Sequence, residues 1–170
     1  MLIDTQTIGT SAKTFDVVIP SSEIDLESEG DELADNVKLV GKAKSVAGKF
    51  EVNGTLTTEL NVACARCLEP IALPMSIAFE ARFVPPEVFD AAVEHELEGE
   101  ALTVDVLEGD SIDLNAIARE QILLNLPEQL FCHPDCKGLC EKCGANRNLI
   151  DCKCIDEEID PRWAALADLN

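Results

Sequence analysis

Eight cysteines in four close pairs are the residues of this chain best suited to chemistry. The spacings are C-x2-C, C-x3-C, C-x2-C and C-x-C, so each short loop can aim two sulfur atoms at one metal ion. Zn²⁺ favours four sulfurs around it, and these cysteines supply two such sites with none left over. The candidate zinc ligands are Cys64, Cys67, Cys132, Cys136, Cys140, Cys143, Cys152 and Cys154.

Disulfide bonds and thiol redox chemistry are the competing interpretations of these pairs. Disulfides need an oxidising compartment, but the N-terminal residues 1–7 lack the basic and apolar stretches of a secretory signal. No segment is apolar enough to span a membrane, so we expect a cytoplasmic protein whose cysteines bind metal. A redox dithiol usually begins a helix, whereas Cys64–Cys67 lies between two segments with strand periodicity.

Spacing alone leaves open which pairs share a metal ion. The favoured arrangement groups Cys140–Cys143 with Cys152–Cys154, because the eight residues between these pairs suffice for a compact turn. In that arrangement Cys64–Cys67 shares an ion with Cys132–Cys136 and clips a hairpin tip to a distant part of the chain. The exchanged arrangement, in which Cys64–Cys67 joins Cys140–Cys143 as a two-knuckle zinc ribbon, remains open.

The charge of the chain favours a basic partner over broad contact with nucleic acid. The formal net charge is −20, from 33 acidic residues against 13 Lys and Arg, and such a surface repels phosphate backbones. Acidic residues concentrate in 20–36 and 87–110, which contain no Lys or Arg and are predicted to be solvated loops. Basic residues concentrate at 38–49 and 132–154, the two places where phosphate contact is feasible.

Catalytic motifs are absent from the sequence. The chain lacks G-x-x-x-x-G-K-[ST], G-x-G-x-x-G, H-E-x-x-H and G-x-S-x-G. Two histidines and no tyrosine leave few groups for acid–base catalysis near neutral pH, and zinc sites closed by four cysteines are structural. We therefore predict that the protein is not an enzyme, and we assign no catalytic residue.

Alternating apolar and polar residues predict the strands that position the cysteines. The last two of the four clear strands would form a long β-hairpin with the first cysteine pair at its tip. The predicted strands cover residues 15–19, 37–47, 50–64 and 71–83, with a shorter one at 102–106.

The helices complete the predicted fold. Asp113 can cap a helix that ends near Asn125, and its apolar stripe would pack on the sheet. A terminal helix is expected after Asp160. We expect an α+β fold with a mainly antiparallel sheet, a long hairpin, one core helix and a C-terminal cysteine-rich zinc-binding segment. The expected units are a β domain with its packing helix at 1–131 and the cysteine-rich segment with the terminal helix at 132–170.

Two segments of the chain resemble the signatures of a known family. The first signature, C-x-R-C-L-x-P, is matched by Cys64-Ala65-Arg66-Cys67-Leu68-Glu69-Pro70. The second is similar to the run from Cys132 through Cys140-Glu141-Lys142-Cys143-Gly144-Ala145-Asn146 to Cys152–Cys154. On these motifs the chain resembles the YceD family, the large ribosomal RNA subunit accumulation proteins, over nearly its whole length. Glu141 and Arg147 differ from the residues of many relatives, but neither is a candidate ligand.

The resemblance implies a bacterial cytosolic factor, with no established enzymatic activity, for 23S rRNA accumulation or processing during assembly of the large ribosomal subunit. Expected partners are basic ribosomal proteins or a large-subunit precursor, with a local contact to 23S rRNA. A thiol-redox or zinc-handling protein is the alternative. The candidate contact residues are Arg66, Lys137, Lys142, Arg147 and Lys153. Their positive charges are explained equally well by a need to balance the negative charge of zinc-bound thiolates.

Overall fold

A computed structural model describes residues 1–27, 30–93, 104–107, 109–154 and 162 of the chain. Within these residues the chain forms eight strands and two α-helices. The helices are α1 (Pro86–Val93) and α2 (Leu114–Asn125). The strands are β1 (Leu2–Asp4), β2 (Lys13–Ile19), β3 (Glu32–Leu33), β4 (Val37–Val46), β5 (Lys49–Ala63), β6 (Pro70–Val84), β7 (Asp105–Val106) and β8 (Ser111–Asp113).

Six of these strands form one sheet around the long β5–β6 hairpin. Its order is β2-β4-β5-β6-β7, and β3 pairs with β5 beyond the end of β4. Neighbouring strands are antiparallel except β6 and β7, which are parallel. Strands β1 and β8 form a separate antiparallel pair.

The two hairpins of this sheet follow from alternation and turn chemistry. Ala47 and Gly48 join β4 to β5 with φ angles of 51° and 78°, the two positive values of a tight turn that matches the strand twist. The pairing of β5 with β6 continues from Phe50↔Phe83 to Ala63↔Pro70 without interruption. This long hairpin places residues 64–69 at its far tip.

Helix α2 closes one face of the sheet and directs the chain towards that tip. The Asp113 side chain caps the helix by accepting from the Asn115 backbone N–H at 2.9 Å. The chain then returns to the hairpin, where the Ala65 N–H donates to the Leu130 carbonyl at 2.8 Å. The buried side chains of α2 belong to the same core as the inward side chains of β4, β5 and β6. The buried residues of the helix are Leu114, Ile117, Ala118 and Ile122.

The predicted α+β fold is confirmed, with its mainly antiparallel sheet, long hairpin and core helix. The acidic runs at 20–36 and 87–110 were wrongly predicted to be solvated loops apart from the short strand at 102–106, because β3 lies in the first run and α1 occupies the first residues of the second. Pro86 opens this helix and Glu87 lies in its first turn, where proline and a negative charge both favour a helix N-terminus. Strands β1 and β8 are only three residues each, too short for a periodic signal.

Part of the sequence prediction lies outside the described residues. The expected terminal helix falls there apart from Arg162, as does the first half of the strand expected at 102–106. Among the residues that the structure describes, no helix has the length and apolar composition required to cross a membrane.

Candidate metal centres

The tip of the β5–β6 hairpin is a tight knuckle built from Cys64 to Glu69. The Leu68 N–H donates to the Cys64 carbonyl at 2.9 Å, and the Cys64 N–H donates to the Glu69 carbonyl at 2.9 Å. These two bonds fold the loop back on itself, so that Cys64 and Cys67 lie side by side. Leu68 has a φ of 61°, in the left-handed region that glycine adopts most easily.

A second knuckle with the same hydrogen bonds follows Leu139. The Gly144 N–H donates to the Cys140 carbonyl at 2.8 Å, and the Cys140 N–H donates to the Ala145 carbonyl at 2.8 Å. Gly144 has a φ of 70° and occupies the position that Leu68 takes in the first knuckle. The C-x2-C spacing therefore folds the same way twice, with a different residue at the left-handed position.

The sulfur atoms form two groups of four, and within each group all of them lie within 4.8 Å of one another. The inner cysteine group consists of Cys64, Cys67, Cys132 and Cys136. The outer cysteine group consists of Cys140, Cys143, Cys152 and Cys154. This division is the one that the spacing favoured, and it is not that of the exchanged zinc-ribbon arrangement.

Sulfur–sulfur distances in the inner group fit a tetrahedral metal site. Cys64 Sγ lies 3.8 Å from Cys136 Sγ, and Cys67 Sγ lies 3.6 Å from Cys132 Sγ. Tetrahedral Zn²⁺ with metal–sulfur bonds of about 2.3 Å has sulfur–sulfur edges of about 3.8 Å. A disulfide needs about 2.05 Å, and all eight cysteines are free thiols. The donor set therefore fits zinc.

The two cysteine groups differ in how far their members are buried. Cys64, Cys67 and Cys136 are buried, and only Cys132 of the inner group is exposed. In the outer group Cys140 is the one buried member, while Cys143 and Cys154 are exposed. The apolar side chains that pack on the inner group are Ile71, Phe131 and Leu139.

Asn148 links the outer loop to an inner ligand. Its side-chain Nδ2 donates to Cys136 Sγ at 3.2 Å, and its Oδ1 accepts from the Lys137 N–H at 2.8 Å. The Asn146 side chain fixes this turn, because its Oδ1 accepts from the Asn148 N–H at 3.0 Å and its Nδ2 donates to Glu69 at 3.3 Å. A hydrogen bond to sulfur stabilises the thiolate form that a metal requires.

Arg66 joins the hairpin knuckle to the Cys132–Cys136 loop. Its Nη1 donates to the carbonyls of Cys136 at 3.0 Å and Pro134 at 3.3 Å. Its guanidinium carbon lies 4.3 Å from the centre of the Phe131 ring, a cation–π distance. The Arg66 carbonyl also accepts from the Leu139 N–H at 3.0 Å. Arg66 therefore has a structural role that its position between two cysteines did not reveal.

The inner group has thiols of very different acidity. Burial opposes ionisation of Cys64, but backbone N–H groups of Cys67, Arg66 and Cys132 outweigh it and lower the pKa to about 6. Although Cys132 is exposed as a residue, partial loss of water around its sulfur and the neighbouring Cys136, Cys67 and Cys64 sulfurs raise its pKa to about 12. One thiolate thus suppresses ionisation of another nearby, unless a cation compensates the charge.

The outer group shows the same division. Backbone N–H groups of Cys143 and Lys142, together with the Cys152 thiol, lower the pKa of Cys140 to about 6. The neighbouring Cys143 and Cys140 sulfurs raise the pKa of Cys154 to about 12. In each group one thiol has its pKa lowered to about 6 and another has its pKa raised to about 12, and a bound cation would favour the thiolate form of all four.

The cationic side chains predicted to contact a partner all lie at this end of the fold. Lys137, Lys142, Arg147 and Lys153 are exposed on the loops that carry the cysteines. The Arg147 N–H donates to the Gly138 carbonyl at 2.9 Å, which fixes its backbone beside the inner group.

A family model for large ribosomal RNA subunit accumulation protein YceD matches residues 52–170 of the chain. The match begins in β5 and includes both cysteine groups. The chain belongs to the YceD family. No solved structure was found to match this YceD-family chain.

Similar proteins occur in bacteria and in plants. An uncharacterized protein of Mycobacterium tuberculosis is 30% identical over 95% of this YceD-family chain and 75% of its own length. The uncharacterized protein YlbN of Bacillus subtilis is 28% identical over 78% of the chain and 73% of its own length. The chloroplastic large ribosomal RNA subunit accumulation protein YCED homolog 1 of Zea mays is 26% identical over 63% of the chain and 44% of its own length.

Proposed function

We propose that this protein is a non-enzymatic, zinc-binding accessory factor for accumulation of 23S rRNA and assembly of the large ribosomal subunit. Membership of the YceD family carries the ribosomal part of the proposal. The grouping of eight cysteines into two sets of four carries the metal part. The proposed location is the cytoplasm.

Zinc fits both groups for the same chemical reason. Four thiolates with no open position suit a structural Zn²⁺ ion, and the sulfurs of each group lie within 4.8 Å of one another. In the inner group, sulfur–sulfur distances of 3.8 and 3.6 Å also match the tetrahedral edges. In the inner group the ion would be held by Cys64, Cys67, Cys132 and Cys136. In the outer group it would be held by Cys140, Cys143, Cys152 and Cys154. The ions would stabilise the loops and supply no reactive water.

Proteins of the assembling ribosome are the proposed partners. The net charge of −20 attracts cationic surfaces by long-range electrostatics. A local contact with 23S rRNA would use cationic side chains near the cysteine groups. Arg66 is the least suited of them, because its guanidinium already binds two carbonyl groups of the chain. The others are Lys137, Lys142, Arg147 and Lys153.

We also propose a division of the chain into two units. Residues 1–131 would form the β domain with its helix, and residues 132–170 would form the segment that the inner-group metal holds against the hairpin tip. Two long-range sulfur contacts, at sequence separations of 72 and 65 residues, support this arrangement.

The ribosomal part is tested by depleting the protein in its own organism and measuring mature 23S rRNA relative to 16S rRNA. We expect a fall in 23S rRNA, restored by the wild-type gene. A control gene carrying Leu124→Ala, at an exposed position of α2, should restore it equally.

The same strains allow the partner to be located. An epitope-tagged chain should sediment with large-subunit precursors in sucrose gradients, and it should leave them as salt concentration rises. An unchanged 23S rRNA level after depletion, with no tagged protein in these fractions, would contradict the proposal.

A further inference from the structure

Leu68 occupies a backbone conformation that disfavours its own side chain. Its φ of 61° lies in the left-handed region, where a Cβ atom causes strain and glycine does not. At the same place in the second knuckle the chain uses Gly144, with a φ of 70°. The Leu68 side chain is 63% exposed, so burial among the residues that the structure describes does not account for a leucine there.

Two more exposed apolar side chains lie on a turn that is hydrogen-bonded to the residue next to Leu68. Leu149 is 77% exposed and Ile150 is 58% exposed, and their N–H groups donate to the Asn146 carbonyl at 3.0 and 2.9 Å. The Asn146 side chain in turn donates to Glu69, the neighbour of Leu68, at 3.3 Å. Leu68, Leu149 and Ile150 therefore project from two turns joined by one hydrogen bond, and we call them the apolar tip.

The chemistry of the apolar tip indicates what it binds. Aliphatic side chains have no π face on which a base could stack, so they suit a protein surface better than RNA. The net charge of −20 opposes association with a second copy and favours a cationic partner. Strain retained at an exposed side chain is typical of functional positions.

We propose that the apolar tip is a docking surface for a basic protein that presents an apolar anchor to it. The partner's cationic groups would meet Glu69 and Asp151, the exposed acidic residues next to Leu68 and Ile150, while its anchor contacts Leu68, Leu149 and Ile150. The inference deepens the proposed function and rests on it for the choice of ribosomal proteins as the partner class.

The test uses the full chain, loaded with zinc, and two separate probes. One probe is the set of proteins extracted by high salt from purified large ribosomal subunits and separated into fractions. The other is protein-free 23S rRNA. Binding of each probe to the immobilised chain is measured for wild type, Leu68→Gly and Leu149→Ala. Leu124→Ala is the matched control, because Leu124 is 69% exposed on α2.

We expect Leu68→Gly and Leu149→Ala to weaken binding of a ribosomal protein fraction by about tenfold or more, the loss typical of an apolar anchor. Leu124→Ala should bind as the wild type does. The melting temperature of Leu68→Gly should equal or exceed that of the wild type, because glycine relieves the left-handed strain. Lost affinity at retained stability would separate a docking role from a structural one.

Four outcomes would overturn the inference. They are unchanged binding by both variants, a loss confined to naked 23S rRNA, a lower melting temperature of Leu68→Gly with affinity unchanged, or a wild-type dimer that the substitutions dissociate. If the wild-type chain binds neither probe, the proposed function is contradicted as well. Binding by the wild type that survives both tip substitutions contradicts the docking surface alone.

Discussion

The inner and outer cysteine groups use the same knuckle for different structural tasks. The inner group joins the hairpin tip to residues 65 and 72 positions further along the chain, and three of its four sulfurs are buried. The outer group closes only the local loop from Cys140 to Cys154, and one of its sulfurs is buried. Although the ligands are the same, we expect loss of metal from the two groups to affect the stability of the fold unequally. Only the inner group joins distant parts of the chain and so constrains the tertiary structure.

The largest predicted difference follows loss of one ligand from each group. Cys64→Ser should lower the free energy of unfolding by more than about 4 kcal/mol, because it removes the metal ion of the inner group and leaves polar groups without partners in a buried site. Cys154→Ser should leave the melting temperature of the β-sheet domain nearly unchanged, because Cys154 is exposed. Thermal unfolding followed by circular dichroism, with zinc content measured in parallel, compares them.

Equal melting temperatures for these two variants, each with one zinc lost, would contradict the structural division between the groups. Cys154→Ser serves as the control for the general effect of a thiol-to-hydroxyl change. Its retained fold would show that zinc loss by itself does not unfold the sheet.

Metal removal should occur in two phases. Chelator and thiol reagents reach exposed ligands first, so the outer group, with Cys143 and Cys154 exposed, should release its zinc before the inner group does. A colorimetric zinc indicator would record the release, and thiol titration would follow the cysteines freed. Release of both ions at one rate would show that exposure does not control access. Fast reaction of one pair before any chelator is added would instead favour the thiol-redox alternative.

A smaller effect is expected where the two groups are linked. Asn148→Asp keeps the oxygen that accepts from the Lys137 N–H but replaces the donor to Cys136 Sγ with a carboxylate oxygen. We expect the inner group to bind zinc about 10–100-fold more weakly. Competition with a chelator of known affinity gives this value, and Asn125→Asp on α2 controls for the added charge. Unchanged affinity would assign Asn148 to turn geometry alone.

The smallest predicted effect is the difference in stability cost between alanine substitutions at two glycines with nearly equal φ angles. Gly144→Ala should cost about 1–2 kcal/mol, the left-handed penalty alone, since nothing lies within 4 Å of the added Cβ. Gly138→Ala should cost more, because its Cβ would lie 3.0 Å from the Arg66 carbonyl oxygen. Urea denaturation in excess zinc measures both. A larger loss for Gly144→Ala would contradict the tight contact between Gly138 and the hairpin knuckle.

The sequence predicted this region well where local pattern decides the structure. Strand alternation predicted the β5–β6 hairpin, Asp113 predicted the start of α2, and cysteine spacing favoured the observed grouping. The hydrogen bonds of Asn148 and Arg66 were not predictable, because each joins residues brought together by the tertiary fold. The conformation of Leu68 was also hidden, since a leucine gives no sign of positive φ. Helix α1 was missed because its acidic residues were interpreted as solvated loop.

Several sequence predictions remain predictions. The division at residue 131, the terminal helix and the partner contacts of Lys137, Lys142, Arg147 and Lys153 belong to this class. The cationic residues offer the simplest test: replacing Lys137 and Lys153 with Gln should reduce the salt dependence of any 23S rRNA contact.

The central claim, that two four-cysteine groups each hold one structural zinc ion, is tested most directly by native mass spectrometry of the reduced full-length chain. The account predicts two zinc ions per wild-type chain, one after mild chelation or in Cys154→Ser, and none after denaturation with chelator. A zinc-free wild-type chain that was purified with zinc supplied, and that keeps its melting temperature in chelator, would contradict the claim.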